Sequence, residues 1–278
     1  MEQTEFVNLS QFAPPPREAT ENEYLKDGLY HCTLCNEPTQ MRQSGIPYPV
    51  PIACLCKQQE KKQREAAERK KKADERREKA FESKRSKRLG FTFANDDGRN
   101  KKATGLLKQY CENFTEYRKD GTGYILHSNQ NGGGKTYLAC AVANELIDKG
   151  YNVLVTNFLT LRDKLFDPKA FSFVNKVDFL NSLCAYDLIV IDDLGVEQST
   201  EFTLEVEYRI IDILTDECVP LILTTNYTLA ELRNEENITK RRVFDRILGS
   251  CALLSVDQPN GKSRRVERCA ELTRQLAN

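Results

Sequence analysis

Residues 121–136, GTGYILHSNQNGGGKT, decide the fold of this 278-residue chain. A short apolar run, Tyr124-Ile125-Leu126, stops at a polar, glycine-rich turn that ends in Gly134-Lys135-Thr136. Beyond it, Leu138, Ala141, Val142, Leu146 and Ile147 recur at helical spacing on one face. Strand, glycine loop and helix in that order are the setting of a phosphate-binding loop. Glycines let backbone N–H groups turn inward with no Cβ in the way, and the helix N-terminus adds partial positive charge. The predicted cradle is Asn129, Gln130, Asn131, Gly132, Gly133, Gly134, Lys135 and Thr136. Lys135 is placed to reach β- and γ-phosphates, and the Thr136 hydroxyl to hold Mg²⁺. The motif usually opens on glycine. Here Asn129 stands first, a residue that tolerates a left-handed backbone better than most.

Downstream, apolar runs and helix-period segments alternate. Strands are expected at 124–128, 152–156, 187–191, 220–225 and 251–255. Helices are expected at 101–117, 135–148, within 158–183, and at 201–217, 228–233 and 239–248. This alternation predicts an α/β domain with a parallel five-stranded sheet covered by helices on both faces. The run Leu188-Ile189-Val190-Ile191 ends in Asp192 and Asp193. At the C-terminal edge of a parallel sheet, Asp192 falls opposite the phosphate loop, where it can bind Mg²⁺ or its water shell. Asp193, with Glu197 nearby, can orient or deprotonate an attacking water; a carboxylate pair capping the next helix is the plainer alternative. A second buried run, Leu221-Ile222-Leu223-Thr224-Thr225, ends at Asn226, placed to bond a γ-phosphate or that water. In isolation, Asn226 would read as an ordinary turn residue.

Upstream, Cys32-Thr33-Leu34-Cys35 is followed nineteen residues on by Cys54-Leu55-Cys56. Two close thiol pairs are what a tetrahedral Zn²⁺ site needs, and the polar, proline-containing stretch between them is too poor in apolar residues to fold without a staple. Four unrelated free cysteines is the alternative, and His31 is a substitute ligand. Residues 57–88 lack Gly and Pro and carry Glu60/Arg64, Glu65/Arg69, Glu68/Lys72 and Glu75/Lys79 at i,i+4 spacing, which predicts a charged helix. It reads either as a solvated spacer or as a contact for nucleic-acid phosphates or an acidic partner. The expected division is therefore a cysteine module at 1–56, a basic helical linker at 57–90 and the α/β domain at 91–278. The first residues, with Pro14-Pro15-Pro16, read as a flexible lead.

Formal charge sums to zero but is unevenly spread. Residues 1–56 carry seven acids against three bases, and residues 57–90 carry fifteen bases against seven acids. Any polyanion contact is thereby localised to the middle segment. There are ten cysteines, no signal-peptide pattern and no apolar run long enough to span a membrane. The cysteines outside the N-terminal pairs fall largely within apolar runs and read as buried hydrophobes in a reducing, cytoplasmic setting.

The order NQNGGGKTYLA, LIVIDDLG, LILTTN, RRVFDRI and GKSRR over residues 91–278 resembles the AAA+ ATPase domain of DnaC-type bacterial helicase loaders and of their relative IstB, the transposition helper ATPase. The resemblance implies ATP with Mg²⁺ bound at a Walker A loop on 129–136 and a Walker B pair at Asp192 and Asp193. It implies sensor 1 at Asn226 and an arginine finger at Arg246 reaching a neighbouring subunit's nucleotide. Sensor 2 falls on Arg265, with the adjoining Arg264 as the alternative. Many members carry Asp-Glu where this chain has Asp192-Asp193. A cysteine-rich N-terminal module, similar in layout to that of Gram-positive and phage loaders, implies docking on the helicase.

The function implied is ATP-dependent loading of a hexameric replicative helicase onto single-stranded DNA, through self-association and without a membrane. Arg162, Lys164, Lys169 and Lys176, among Phe166, Phe171 and Phe173, form the expected strand-contacting surface, since basic and aromatic groups together track phosphates and stack bases. An ordinary helical hairpin is the alternative there. Two rival functions stay open: an IstB-like helper of transposition, and a nucleic-acid-binding adaptor that does not hydrolyse ATP.

Overall fold

The alternating apolar runs build, in a computed structural model of the chain, a parallel sheet of β5 (Gly123–His127), β6 (Val153–Thr156), β7 (Leu188–Leu194), β8 (Leu221–Thr225) and β9 (Cys251–Ser255), in the spatial order β6-β7-β8-β5-β9. Residues 17–129, 131–166, 173–195, 200–257 and 263–276 are described, residues 173–175 by backbone only. Pro14–Pro16, Gln130, Lys169, Phe171, Glu197 and the Phe173 side chain lie outside the described residues. Two units are distinguished, residues 1–71 and 72–278.

In the larger unit, side-chain alternation along each strand feeds two apolar layers. Leu126, Leu188, Val190 and Ile222 face one layer with α2 (Lys101–Glu112), α3 (Phe114–Lys119) and α4 (Lys135–Asp148). Ile125, Ile189, Ile191, Leu221 and Leu223 face the other, with α5 (Phe158–Leu165), α6 (Phe173–Leu183), α7 (Glu201–Asp216) and α9 (Ile238–Ser250). The short α8 (Leu229–Arg233) adds Leu232 to that second layer. Gly123 lets β5 lie against its neighbour, since a Cβ there would strike the Leu221 carbonyl. The sheet order places the C-terminal ends of β5, β8 and β7 side by side. That is the edge where the phosphate loop, Asn226 and the aspartates meet.

Three expectations need correction in detail. The helix predicted over 101–117 is two helices, broken at Asn113, whose N–H closes the first on Gln109. The charged helix α1 runs Leu55–Phe81, and the division between the units falls inside it. Its last turns are not a spacer: Ala73, Ala80 and Phe81 are buried in the α2–α4 layer. The segment expected as a separate linker at 57–90 is thus divided, with residues 72–90 belonging to the larger unit. A C-terminal helix, α10 (Arg264–Leu276), was not foreseen; Val266, Cys269, Leu272 and Leu276 recur on it at helical spacing, yet none of its side chains is buried.

Asn144, in the middle of α4 and 1% exposed, holds residues 77–91 in place. Its Nδ2 donates to the carbonyls of Arg88 (3.0 Å) and Phe91 (2.9 Å), and its Oδ1 accepts from Arg77 Nε (3.2 Å). Arg77 also pairs with Asp148 one turn further along α4. Between them lies a 3₁₀ turn, Lys87–Gly90, capped by the Ser86 hydroxyl.

The smaller unit has little apolar core. A hairpin of β1 (Glu23–Lys26) and β2 (Leu29–Cys32) turns on Asp27-Gly28, both at positive φ as a two-residue hairpin loop requires. A minimal ladder joins β3 (Gln40–Met41) to β4 (Val50–Pro51). The buried Glu23 carboxylate accepts from Arg17 Nη2, the Thr20 N–H and the Thr20 hydroxyl. Burial pushes this carboxyl up, but the Thr39 and Thr20 hydroxyls, the Thr20 N–H and Arg17 outweigh it and hold it at about 2.

Two outcomes follow from these contacts. Asn144→Leu strands two carbonyls and Arg77 Nε, and urea denaturation is expected to register a loss of about 2–4 kcal/mol. Because the Glu23 pKa is lowered on folding, its contribution is full above about 4.5 and drains away as pH falls toward 2. Glu23→Gln should therefore melt below the wild type at neutral pH, with the gap closing across that acid window. A gap independent of pH would refute the assignment.

Candidate functional site

The loop between β5 and α4 is held open by its glycines and anchored by distant side chains. Gly132 and Gly134 sit at φ +82° and +105°, and a Cβ on Gly133 would press on the Ser128 hydroxyl and the Val256 carbonyl. Asn129 is not among the described residues with left-handed backbone, contrary to the reason offered for it above. Its place is secured instead by Asp257, just beyond β9. One Asp257 oxygen accepts from the Asn129 N–H (3.1 Å) and the Ser128 hydroxyl (2.8 Å), and the other from the Ser255 hydroxyl (2.7 Å). Burial works against that charge, but these donors leave the Asp257 pKa below the usual carboxylate range. Asn100 Nδ2 donates to the Gly133 carbonyl at 2.9 Å.

At the mouth of the loop, Lys135 Nζ donates to Asn226 Oδ1 at 2.7 Å, joining the two motifs read from the sequence. Lys135 is largely buried, and desolvation lowers its pKa against the opposing pull of Asp193 and Asp257. The Thr136 hydroxyl donates to Asp192 Oδ1 at 2.8 Å, and the Thr224 hydroxyl to the same oxygen at 2.7 Å. Asp192 is 2% exposed. A threonine hydroxyl beside a buried carboxylate is a hard-oxygen donor pair of the kind Mg²⁺ takes, so these two residues fit the ion.

Asp193 follows in a register shift between β7 and β8, at φ +60°. A non-glycine residue in that region is strained, and such strain gathers at functional sites. The Thr224 hydroxyl accepts from the Asp193 N–H at 2.8 Å and so pins the turn. Partial burial and the adjacent Asp192 charge raise the Asp193 pKa, in the direction of a general base.

Lys135, Thr136, Asp193 and Asn226 line one cavity of about 670 Å³ with the loop glycines 132–134, Arg88, Phe91, Tyr137, Arg264 and Arg265. That volume lies in the range of small-ligand sites. The Phe91 and Tyr137 rings lie 4.8 Å apart on its wall. Arg264 is engaged by both oxygens of Asp97, at 2.6 and 2.7 Å, and by the Gly133 carbonyl. Arg265 lines the same cavity, and its charge acts on Lys135 and Asp193. Arg246 does not reach this cavity. It pairs with Asp212 (2.7 Å) and Asp216 (3.4 Å) of α7, beside a separate surface cleft.

The sequence reading missed Arg88, Asn100, Asp257 and Thr224. Only Thr224 carried a signal, as the first of two hydroxyls that close an apolar run. Arg88 Nη2 meets Asp192 Oδ2 at 2.8 Å from 104 residues away. In the segment read as a strand-contacting surface, Phe166 carries Lys176 Nζ 4.4 Å above its ring and packs 5.1 Å from the Phe202 ring. Arg162 and Lys164 there pair with Asp163 and Glu82.

In the smaller unit the thiol sulfurs of Cys32, Cys35, Cys54 and Cys56 all lie within 4.8 Å of one another. Tetrahedral zinc thiolates have sulfurs about 3.8 Å apart, as bonds of about 2.3 Å require, so the set fits the ion. N–H groups of Cys56 and Glu37 face the Cys35 sulfur and hold its pKa at about 6, and those of Cys35 and Leu34 lower that of Cys32. His31 does not join the cluster; its Nδ1 lies 3.1 Å from the Asn36 carbonyl.

Residues 55–270 match the family described as IstB-like ATP binding protein. Among curated relatives, the replicative helicase loader DnaC of Escherichia coli strain K12 is 29% identical over 146 residues, 52% of this chain and 56% of that protein. The replicative helicase loader DnaI of Bacillus subtilis strain 168 is 25% identical over 191 residues, 62% of this chain and 58% of that protein. The chain thus spans little more than half the length of these relatives. Among solved structures, DnaI superposes with a TM-score of 0.53 at 24% identity, covering 67% of this chain and all of that one. The DnaC helicase loader gives 0.51 at 23%, covering 61% of this chain and 99% of that one. The initiator DnaA bound to AMPPCP and single-stranded DNA gives 0.50 at 21%, covering 63% and 52%. At these identities the likeness concerns the fold. With its profile match, its sheet order and its loop geometry in agreement, the chain belongs to the IstB-like ATP-binding protein family, and its larger unit is a P-loop ATP-binding module of AAA+ type.

Proposed function

We propose that this chain is an ATP-hydrolysing loader of a hexameric replicative helicase onto single-stranded DNA. The observation that carries the reading is the convergence of Lys135, Thr136, Asp192, Asp193 and Asn226 on one sheet edge, in a chain whose relatives include proteins named replicative helicase loaders. Lys135 leaves Asn226 for the β- and γ-phosphates. Thr136 and Asp192 would hold Mg²⁺, which would supply neutralisation of phosphate charge. Asp193, with its raised pKa, takes the proton of the attacking water, and Asn226 orients that water. Arg265, not tied to Asp97 as Arg264 is, serves as sensor 2. Arg246, on the far face, leaves Asp212 and Asp216 to complete the site of a neighbouring subunit, which makes hydrolysis depend on self-association.

The four cysteines hold one zinc ion and fix the smaller unit as the helicase-docking module. Lys176 and Phe166 mark the single-strand contact. A second reading, an IstB-like helper of transposition acting with a transposase, is favoured only by the name of the matching family. The non-hydrolysing adaptor would need Asp193 to be inert.

Purified protein should turn over ATP with magnesium, and Lys135→Ala should lower that rate by about a hundredfold or more. Wild-type bait with ATP should recover the hexameric replicative helicase from a host lysate. Recovery of a transposase instead would move the reading to the rival; absence of turnover would favour the adaptor. Metal analysis should find one zinc per chain in the wild type and none in Cys35→Ser, whose thermal midpoint should also fall.

A further inference from the structure

Asp192 is almost wholly buried, and a carboxylate taken out of water needs a compensating charge. Lys135 does not provide it, being engaged by Asn226. The compensating cation is Arg88, at 2.8 Å from Asp192 Oδ2, while Thr136 and Thr224 share the other oxygen. The Arg88 side chain is 38% exposed and lines the cavity with the loop glycines and Thr136, so its guanidinium stands between that cavity and the Asp192 carboxylate. Its backbone is fixed: Asn144 holds the Arg88 and Phe91 carbonyls, and Ser86 caps the turn. Only the side chain is at liberty to change partner.

A guanidinium and a divalent cation cannot both sit on one carboxylate without strong repulsion, least of all where the dielectric is low. We infer that Arg88 competes with Mg²⁺ for Asp192: it neutralises the carboxylate in the empty site and is displaced when magnesium and nucleotide enter. The displaced guanidinium turns out into the open cavity that it already lines. Arg88 is on this account a nucleotide-site residue supplied from upstream of the sheet, and it sets the magnesium concentration at which the site fills. The inference rests on the nucleotide-site reading given above.

The test is a titration of magnesium against a fluorescent ADP analogue bound to the full-length chain, for wild type, Arg88→Gln and Arg88→Lys. Removing a competitor tightens binding of its rival, whereas removing a merely structural residue weakens it. Arg88→Gln should therefore lower the half-saturating magnesium concentration by about tenfold, the size of a hydrogen bond to a charged group. Arg88→Lys, which keeps the charge on a shorter stem, should fall between, and it carries the test if the glutamine variant fails to fold. A magnesium requirement unchanged or raised in the variants that fold would overturn the competition. A wild type that binds no nucleotide at saturating magnesium would remove the nucleotide-site reading and this inference with it, whereas intact binding with unaltered magnesium dependence would remove this inference alone.

Discussion

The Asp192 carboxylate, sunk at the end of β7, is the point on which four separated parts of the chain close. Thr136 reaches it from the phosphate loop, Thr224 from β8 and Arg88 from the turn after α1, while Asp193 is positioned through Thr224. Each contact satisfies a buried polar atom that would otherwise cost free energy. Together they set the spacing between β7 and β8 at their C-terminal ends. The strain at Asp193 is tolerated because the groups around it are over-determined.

The smaller unit follows a different logic. With Cys32 and Cys54 among its few buried apolar side chains, it has almost no hydrophobic core to offset its chain entropy. A hairpin, a two-residue ladder and the buried Glu23 give it shape, and the four sulfurs give it a place for a metal staple. The larger unit stands on its two apolar layers and uses its polar contacts to arrange chemistry.

Much of this was legible in the amino-acid order. Strands of the parallel sheet are buried on both faces and so appear as unbroken apolar runs; the ends of two of those runs located Asp192 and Asn226, and the glycine loop after a third located Lys135 and Thr136. What stayed hidden has a common physical cause. Arg88, Asn144 and Asp257 act across 53 to 129 residues of sequence. No local pattern distinguishes an arginine that will neutralise a buried carboxylate from one on a solvated helix face. The division inside α1 was hidden because Ala73 and Ala80 are small among many charges, so the buried stripe barely registers. Asn113 broke a helix whose apolar period continued straight through it, whereas α10 does carry a sparse apolar stripe, at Val266, Cys269, Leu272 and Leu276, among many charges.

The sheet order also governs how the chain can assemble. β5 carries the phosphate loop, yet its two neighbours, β8 and β9, lie roughly a hundred residues or more further along the chain. Until those strands dock, the loop has no Asn226 to meet Lys135 and no Asp257 to hold Asn129. Pairings this remote in sequence form late and slowly, because loop closure must precede any gain from contact. During synthesis, the phosphate loop therefore gains its full set of anchors only once β9 and Asp257 have emerged, and a nascent copy ending before β9 leaves Ser128 and Asn129 without the carboxylate that holds them.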